Sequence, residues 1–173
     1  MNRFRFLLLL GFAFFFAISA TPLQAQLAIY GGFSGAPVSG TGATNWAYGG
    51  TVGLYKQSGH LDSTISIGGD LRGTFIGRNG FNYYTGAAGP RVAFKPPFLP
   101  LRPYVEGLVG VASYNSGNGT DSSTHFNYQV AAGLDLTFFP HLDWRVIDFD
   151  YSAVSGQPVN AKVLTTGLVL RLW

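Results

Sequence analysis

The chain is 173 residues long, contains no cysteine and is only 11% charged, although 47% of its residues are hydrophobic. A chain without cysteine has neither a disulfide framework nor the thiol that a lipid-modified amino terminus requires. Lys and Arg number 11 against 8 Asp and Glu, but two arginines lie in an amino-terminal segment that we expect to be removed, which leaves 9 against 8. No basic stripe remains in the rest of the chain, and a nucleic-acid partner is therefore not expected.

Residues 1–25 have the order of a secretory signal peptide. Arg3 and Arg5 precede an apolar run from Phe6 to Ala20, and a small residue, Ala25, follows. This order predicts cleavage after Ala25 and a single mature domain over residues 26–173. A membrane anchor is the less favoured alternative, because the run is shorter than the roughly 20 residues with which a helix spans a bilayer.

The sequence pattern of the mature domain predicts strands and no helix. Apolar residues recur at every second position, as in Tyr128, Val130 and Leu134, while Gln129 and Asp135 occupy the opposite face. Clusters of Gly, Ser, Asn and Pro separate the alternating stretches. In chain order the stretches are LAIYGGFSG, YGGTVGLYK, ISIGGDLRGTF, TGAAGPRVAF, RPYVEGLVGVASY, YQVAAGLDLTF, WRVIDFDY and AKVLTTGLVLRLW. The pattern predicts an all-β fold of eight antiparallel strands.

The connections between these strands predict an up-and-down barrel. Polar, glycine-rich segments such as residues 35–45, which follow strand one, come after the odd-numbered strands, whereas the even-numbered strands are followed by turns or by the proline-rich KPPFLPLRP. An even-stranded barrel places the first set at one rim, and the second set with both termini at the other.

The composition of the polar face predicts which face points outward. A secreted lipocalin-like barrel would enclose its apolar face and expose a surface rich in Lys and Glu. This chain has three lysines and one glutamate, and its polar face consists of small residues with isolated Asp and Arg. Such a face fits the crowded interior of a narrow barrel, so the apolar face is expected to contact lipid. The sequence therefore favours a transmembrane β-barrel.

Charged residues on the inward face are the candidate site. Unpaired buried charges are costly, so we expect these side chains to form a connected network that either plugs the barrel or simply fills it. The residues are Asp70, Arg72, Arg91, Glu106, Asp135, Asp148, Asp150 and Arg171. The same alternation places Arg145 on the apolar side of its strand, near the strand's end. Pro90 lacks an N–H group for the strand ladder, which predicts a bulge or a position at the rim.

Aromatic residues are expected to form two girdles at the membrane interfaces. One girdle comprises Tyr30, Trp46, Tyr48, Tyr83, Tyr84, Tyr114, Phe126 and Tyr128, and the other comprises Phe94, Phe98, Phe138, Phe139, Trp144 and Trp173.

Catalytic and metal-binding patterns are absent from the sequence. The three histidines, His60, His125 and His141, lie in predicted turns or at a loop edge, and none has a spacing typical of a metal ligand or of a catalytic pair with serine. Ser122 and Ser123, with Asp121, lie near His125 in a glycine-flanked segment that favours solvation over catalysis. We therefore expect no enzyme activity, no metal and no cofactor.

Several segments together carry a resemblance to a known family. They are GGDLRG, GPRVAF, RPYVEGLVGVA, AAGLDL, RVIDFDY and the terminal TGLVLRLW. With the signal peptide and the strand pattern, they resemble the bacterial outer-membrane β-barrel domain family and are similar to the OmpA transmembrane barrel and OmpX.

The resemblance implies location in the outer membrane after secretion to the periplasm, with outer-membrane lipids and lipopolysaccharide as surroundings. It also implies that the barrel insertion machinery reads the last strand, through Leu168, Leu170, Leu172 and Trp173. A structural or surface-contact role is the expected function, and no cell-wall-binding domain is expected. The alternatives are a barrel that binds or passes a small solute, a lipid A-modifying barrel and a secreted lipocalin-like barrel.

Overall fold

The computed structural model describes residues 25–40, 43–58, 64–78, 81–115, 123–155 and 160–172. Within these ranges the chain forms eight strands, in the order β1 (Ala25–Gly40), β2 (Ala43–Ser58), β3 (Ile65–Arg78), β4 (Phe81–Phe94), β5 (Leu101–Asn115), β6 (Ser123–Phe139), β7 (Leu142–Val154) and β8 (Asn160–Arg171). The predicted signal peptide lies outside the described residues except for Ala25. No helix in the described ranges has the length and apolarity that a membrane crossing needs.

The eight strands close into one antiparallel barrel, in which each strand pairs with its neighbours in the sequence and β1 also pairs with β8. Ile29 of β1 lies opposite Leu54 of β2 on one side and Leu170 of β8 on the other. The pairing of β1 with β8 extends from Ala28 opposite Arg171 to Gly35 opposite Leu164, so the sheet has no free edge over this span. The prediction of an eight-stranded up-and-down barrel is confirmed.

The first hairpin extends further than the sequence predicts. Residues 35–45 were expected to be a loop, but the pairing of β1 with β2 continues through Pro37 and Trp46 to Gly40 and Ala43. Small residues have weak strand propensity, which made this segment look like a loop. Each additional pair nevertheless satisfies backbone groups, so the hairpin can continue.

Apolar side chains cover the outside of the barrel on every strand. The exposed residues include Ile29, Val52, Leu71, Val92, Val109, Val130, Phe149 and Leu168, one from each strand in order. The inward positions are held by small, polar and charged residues, of which Asp70, Arg72 and Glu106 are buried. The polarity of the barrel is therefore inverted relative to that of a water-soluble protein.

A β-bulge in β7 corrects the expected position of Arg145. The pairing of β7 with β8 shifts between Arg145 and Asp148, so that one extra residue is accommodated there. Because the alternation is reset at this point, Arg145 and Asp148 both point inward and are both buried, while Ile147 between them stays outside. Strict alternation had placed Arg145 on the apolar face.

Pro90 lies in the middle of β4, not at a rim. Its side chain is exposed, it pairs with Gly69 of β3, and the register with β5 is the same before and after it, at Ala88 opposite Val109 and Arg91 opposite Glu106. The prediction of a bulge or rim position is therefore wrong. The ladder with β5 is interrupted locally at this point, which is consistent with a residue that has no N–H to donate.

Two glycines of β5 provide a test of how tightly the strands pack. A Cβ atom at Gly110 would overlap the carbonyl oxygen of Gly86 on β4, whereas a Cβ at Gly107 would meet no heavy atom within 4 Å. We expect Gly110→Ala to lower the free energy of unfolding by about 1–3 kcal/mol, because backbone atoms must shift. Gly107→Ala is the control and should be neutral or stabilising by at most about 1 kcal/mol. Urea unfolding from lipid vesicles measures both, and equal effects would contradict the close approach.

Candidate functional site

Six charged side chains form a closed ring of alternating sign inside the barrel. We define this charge ring by its members in order: Arg72, Glu106, Arg91, Asp135, Arg145 and Asp148. The successive N–O distances are 2.7, 2.5, 3.0, 3.0 and 3.7 Å, and Asp148 closes the ring on Arg72 at 2.9 Å. The members come from β3 to β7, so the ring ties five consecutive strands together across the interior.

Tyrosine rings pack against the arginines of the charge ring. The guanidinium of Arg91 lies 4.1 Å from the ring centroid of Tyr55 and 3.7 Å from that of Tyr104. That of Arg145 lies 4.0 Å from Tyr30 and 4.8 Å from Tyr104. These cation–π contacts bring β1 and β2 into the cluster through Tyr30 and Tyr55. The hydroxyl of Tyr104 also donates to Asp148.

Two further acids lie beside the charge ring and are less completely paired. Asp150 contacts Arg72 at 3.4 Å, and Asp70 accepts a 2.7 Å hydrogen bond from the hydroxyl of Tyr30. One oxygen of each carboxyl group, Oδ1 of Asp150 and Oδ2 of Asp70, has no hydrogen-bond partner among the described residues. The acids in this region therefore outnumber the arginines of the ring.

A separate cluster lies near the rim at which β1 begins and β8 ends, which we call the terminal rim. Arg171 contacts Asp143 at 3.0 Å, and Arg102 lies 3.9 Å from the same carboxylate. Arg102 also donates to the side chain of Gln26 at 3.3 Å, and Gln57 donates to the same oxygen at 3.1 Å. Asp143 is fully buried, so the cluster occupies this end of the lumen.

Hydroxyl groups and then apolar side chains fill the interior toward the opposite rim. At that rim the strands are connected by residues 41–42, 79–80, 116–122 and 156–159. Ser34 is 2.7 Å from the hydroxyls of both Thr51 and Thr165. Beyond these residues, the buried apolar clusters comprise Ala36, Ala47, Ile76 and Val163, and Tyr83, Ala112 and Val154. Packed side chains thus occupy the lumen at three successive levels.

The structure brings most of the sequence-predicted site residues into one cluster and places one of them elsewhere. Five of the eight belong to the charge ring, Asp70 and Asp150 lie beside it, and Arg171 lies in the cluster at the terminal rim. Sequence reasoning did not single out Arg102, Asp143 and Arg145, which also point inward. Arg102 has the parity of the inward residues of its strand, so strict use of that pattern would have found it, whereas Asp143 and Arg145 precede the bulge in β7 and strict alternation places both on the apolar face.

Two aromatic residues of the predicted girdles belong to the interior. Tyr30 and Tyr83 are buried, and Tyr83 shares a 2.6 Å hydrogen bond with Ser152. Each of these tyrosines has inward parity, which outweighs its position near a strand end. Trp46, Tyr48, Tyr84, Phe126 and Tyr128 are exposed, as are Phe94, Phe98, Phe138, Phe139 and Trp144. Trp173 and the side chain of Tyr114 are not among the residues and side chains that the structure describes.

The histidines are separated in the fold. His125 lies in β6 and His141 in the turn between β6 and β7, where it adopts a positive φ of 68°. His60, Asp121 and Ser122 lie outside the described residues, as does the side chain of Ser123. In the part of the chain that the structure covers, no group of three or more His, Asp or Glu side chains is arranged to hold a metal ion.

Comparison with known proteins places this architecture among solved structures. No protein-family model and no curated protein matches the chain. Neisserial surface protein A is similar with a TM-score of 0.58 and 13% identity, over 86% of this chain and 99% of that one. Ail, the attachment invasion locus protein of Yersinia pestis, is similar with a TM-score of 0.56 and 18% identity, over 87% and 100%. Another structure of Ail contains the heparin analogue sucrose octasulfate.

A major outer membrane protein from Thermus thermophilus is similar with a TM-score of 0.54 and 12% identity, over 86% of this chain and all of that one. The likeness extends over nearly the full length of each relative, and the shared feature is the closed barrel. The chain therefore has the fold of the small eight-stranded bacterial outer-membrane β-barrels, the OmpA-like and OmpX-like class that its sequence resembles.

Proposed function

We propose that the chain is an integral outer-membrane protein with a structural or surface-contact role and a closed lumen. The inverted polarity of the barrel carries this proposal: aliphatic side chains cover all eight strands outside, and the charges lie inside. An apolar exterior needs an apolar surrounding, and a closed sheet satisfies its own backbone groups in hydrocarbon. Outer-membrane lipids and lipopolysaccharide are the partners that such a surface contacts.

Fractionation and gel mobility test the membrane location. The protein should remain with the outer-membrane fraction and migrate differently in SDS before and after boiling, because a closed barrel resists SDS until it is heated. Recovery in the soluble periplasmic fraction, with one mobility, would instead favour the lipocalin-like alternative.

The last strand supports a proposal about biogenesis. Leu168 and Leu170 point outward on β8, and the N–H of Leu172 donates to the carbonyl of Leu27 on β1 at 2.8 Å. We propose that the barrel insertion machinery reads these leucines together with Trp173. Because β8 is also the strand that closes the barrel onto β1, recognition of its free edge would have to precede closure.

The charge ring supports the proposal of a closed lumen. Arg91 and Glu106 form a 2.5 Å ion pair in the ring, and both side chains are buried. The double substitution Arg91→Ala/Glu106→Ala leaves the net charge unchanged but empties volume in the lumen. We expect it to raise single-channel conductance in planar bilayers above that of the wild type, with Arg78→Ala at the far end of β3 as the control. Unchanged conductance would show that the ring is a structural filling and not the plug.

A surface-contact role is favoured over binding of a polyanion. The connecting segments 41–42, 79–80, 116–122 and 156–159 contain Gly, Ser, Thr and Asn but only one charged residue, Asp121. Ail has been crystallised with a sulfated sugar analogue, but a sulfated ligand requires clustered Arg or Lys, which these segments lack. These segments therefore offer mainly neutral polar contacts.

Lipid A modification is the enzymatic alternative, and a single comparison separates it from the proposed role. We expect the mass spectrum of lipid A to be identical with and without expression of the protein, because no histidine of the sequence has a spacing typical of a catalytic pair with serine. Loss of an acyl chain upon expression would contradict the non-enzymatic role.

A further inference from the structure

The charge ring is neutral in itself, and Asp150 lies next to it without a cation of its own. Three arginines and three acids make up the ring, so the charge of Arg72 is already matched by Glu106 at 2.7 Å and Asp148 at 2.9 Å. Asp150 follows Asp148 by two residues on β7, on the side away from the terminal rim, and contacts Arg72 at 3.4 Å. Its carboxyl group is therefore buried with a negative charge that the described residues do not balance.

Two amide oxygens beside Asp150 are also buried without a hydrogen-bond donor. Oδ1 of Asp150, Oε1 of Gln129 and Oδ1 of Asn127 have no partner among the described residues. The three residues are 3%, 2% and 0% exposed. Gln129 lies opposite Ser152 on β7, which makes Asp150 its diagonal neighbour on the inward face, with Cβ atoms about 7 Å apart. A glutamine side chain spans that distance, so the acceptor oxygens face one part of the lumen.

The orientation of the Asn127 amide is fixed by its own hydrogen bonds. Nδ2 of Asn127 donates to the hydroxyl of Ser152 at 2.6 Å and to the carbonyl of Ala153 at 3.1 Å. The Ser152 hydroxyl is also hydrogen-bonded to that of Tyr83 at 2.6 Å. Turning the amide around would lose both of its donated bonds, so the oxygen and not the nitrogen is the atom left to bind a ligand.

We propose that Asp150, Gln129 and Asn127 form a binding site for a monovalent metal cation inside the barrel. Hard cations take oxygen ligands, and carboxylate and amide oxygens are among those they prefer. One positive charge balances the single unmatched carboxylate, whose burial alone would be costly. A divalent ion such as Ca²⁺ takes six to eight oxygens and would leave an excess of positive charge on this set. The proposal concerns the lumen and does not depend on the role of the outer surface.

Replacement of choline by Na⁺ at constant ionic strength tests this site, because choline is too large to lie among packed side chains. The barrel is unfolded with urea from vesicles of phosphatidylcholine, a lipid without net charge, in mixtures of the two chloride salts. A ligand that binds the folded state alone stabilises it by mass action. We expect the equilibrium constant for unfolding to fall about tenfold for each tenfold rise in Na⁺ above its dissociation constant.

Matched variants locate the bound cation. Gln129→Leu removes one ligand oxygen at similar volume and should abolish the response to Na⁺, whereas Gln57→Leu makes the same change at a buried glutamine near the terminal rim and should retain it. Asp150→Asn should likewise lose the response. Asp143→Asn changes a buried carboxylate at the terminal rim and should keep the response, even where its overall stability is lower.

Four outcomes would overturn the proposal. The first is an unfolding constant of the wild type that is the same in choline and in Na⁺, a measurement that requires no variant to fold. A full response in both Gln129→Leu and Asp150→Asn would place the cation elsewhere, such as beside Asp70. Stabilisation by mild acid in choline, without a response to Na⁺, would show that a proton balances Asp150 instead. A response to Ca²⁺ but not to Na⁺ would contradict the monovalent assignment.

Discussion

Replacement of Arg72 by leucine is expected to lower the free energy of unfolding of the barrel by about 3–5 kcal/mol, the range found when one partner of a buried ion pair is removed. Arg72 contacts three carboxylates, Glu106 at 2.7 Å, Asp148 at 2.9 Å and Asp150 at 3.4 Å. Glu106 retains Arg91, and Asp148 retains a 3.7 Å contact with Arg145 and the hydrogen bond from the hydroxyl of Tyr104. The interior would thus hold an excess of buried negative charge.

Urea unfolding from lipid vesicles, followed by tryptophan fluorescence, measures this change. Arg78→Leu is the matched control on the same strand, because Arg78 is exposed and donates to the carbonyl of Trp46 at 2.8 Å. Its effect should stay within about 1 kcal/mol. The double variant Arg72→Leu/Asp148→Leu should recover part of the loss, because it removes one of the carboxylates left unpaired. Equal effects of Arg72→Leu and Arg78→Leu would show that the charge ring contributes no stability.

The alternation of side chains was sufficient to predict the eight strands and the orientation of their faces. It assigned the eight selected charged residues to the inward parity of their strands, because successive side chains of a β-strand point to opposite faces. Leu108 shows that parity is a better guide than polarity, because it is a large apolar residue with inward parity and is buried in the lumen. Composition then decided that the apolar face is the outer one.

Features that break the alternation could not be predicted in this way. The bulge in β7 inverts the assignment of Arg145, and an irregularity at the end of β6 leaves both Phe138 and Phe139 exposed. A bulge depends on how the neighbouring strands pair, which involves residues distant in the sequence. The closure of the charge ring has the same origin, because Arg145 joins Asp135 and Asp148 only as a consequence of the bulge.

The distinction between girdle and interior tyrosines depends on the parity of each tyrosine and not on its distance from a strand end. The sequence analysis assigned Tyr30 to an aromatic girdle. Its side chain instead points into the lumen and hydrogen-bonds with Asp70 and Arg72. Its hydroxyl accepts from Arg72 and donates to Asp70, so it links a ring arginine to an acid that lacks an ion pair within 4 Å among the described residues. β1 and β3 both pair with β2, and Gly53 of β2, which lies opposite Tyr30 and Arg72, leaves room for the tyrosine ring between them.

Arginine substitutions at two depths on β5 test the outward orientation of the apolar face. Val109 and Val105 are both exposed on the same face, and they lie opposite Ala88 and Val92 of β4. Phe94 marks the lower edge of the lipid-facing band, because it lies about 26 Å along the barrel axis from the exposed Tyr84, close to the ~25 Å height of such a band. Measured from Phe94 along the axis, Val109 is about 15 Å into the band and Val105 is about 5 Å into it.

We expect Val109→Arg to lower the free energy of unfolding in vesicles by about 2–4 kcal/mol, and Val105→Arg by at most about 1 kcal/mol. The same residue type, strand and face are changed in both variants, so depth in the lipid is the variable that separates them. Denaturant titration of both proteins in the same vesicles measures the difference. If the two substitutions had equal and small effects, the outer face would be solvated along its length, and a membrane-spanning barrel would be excluded.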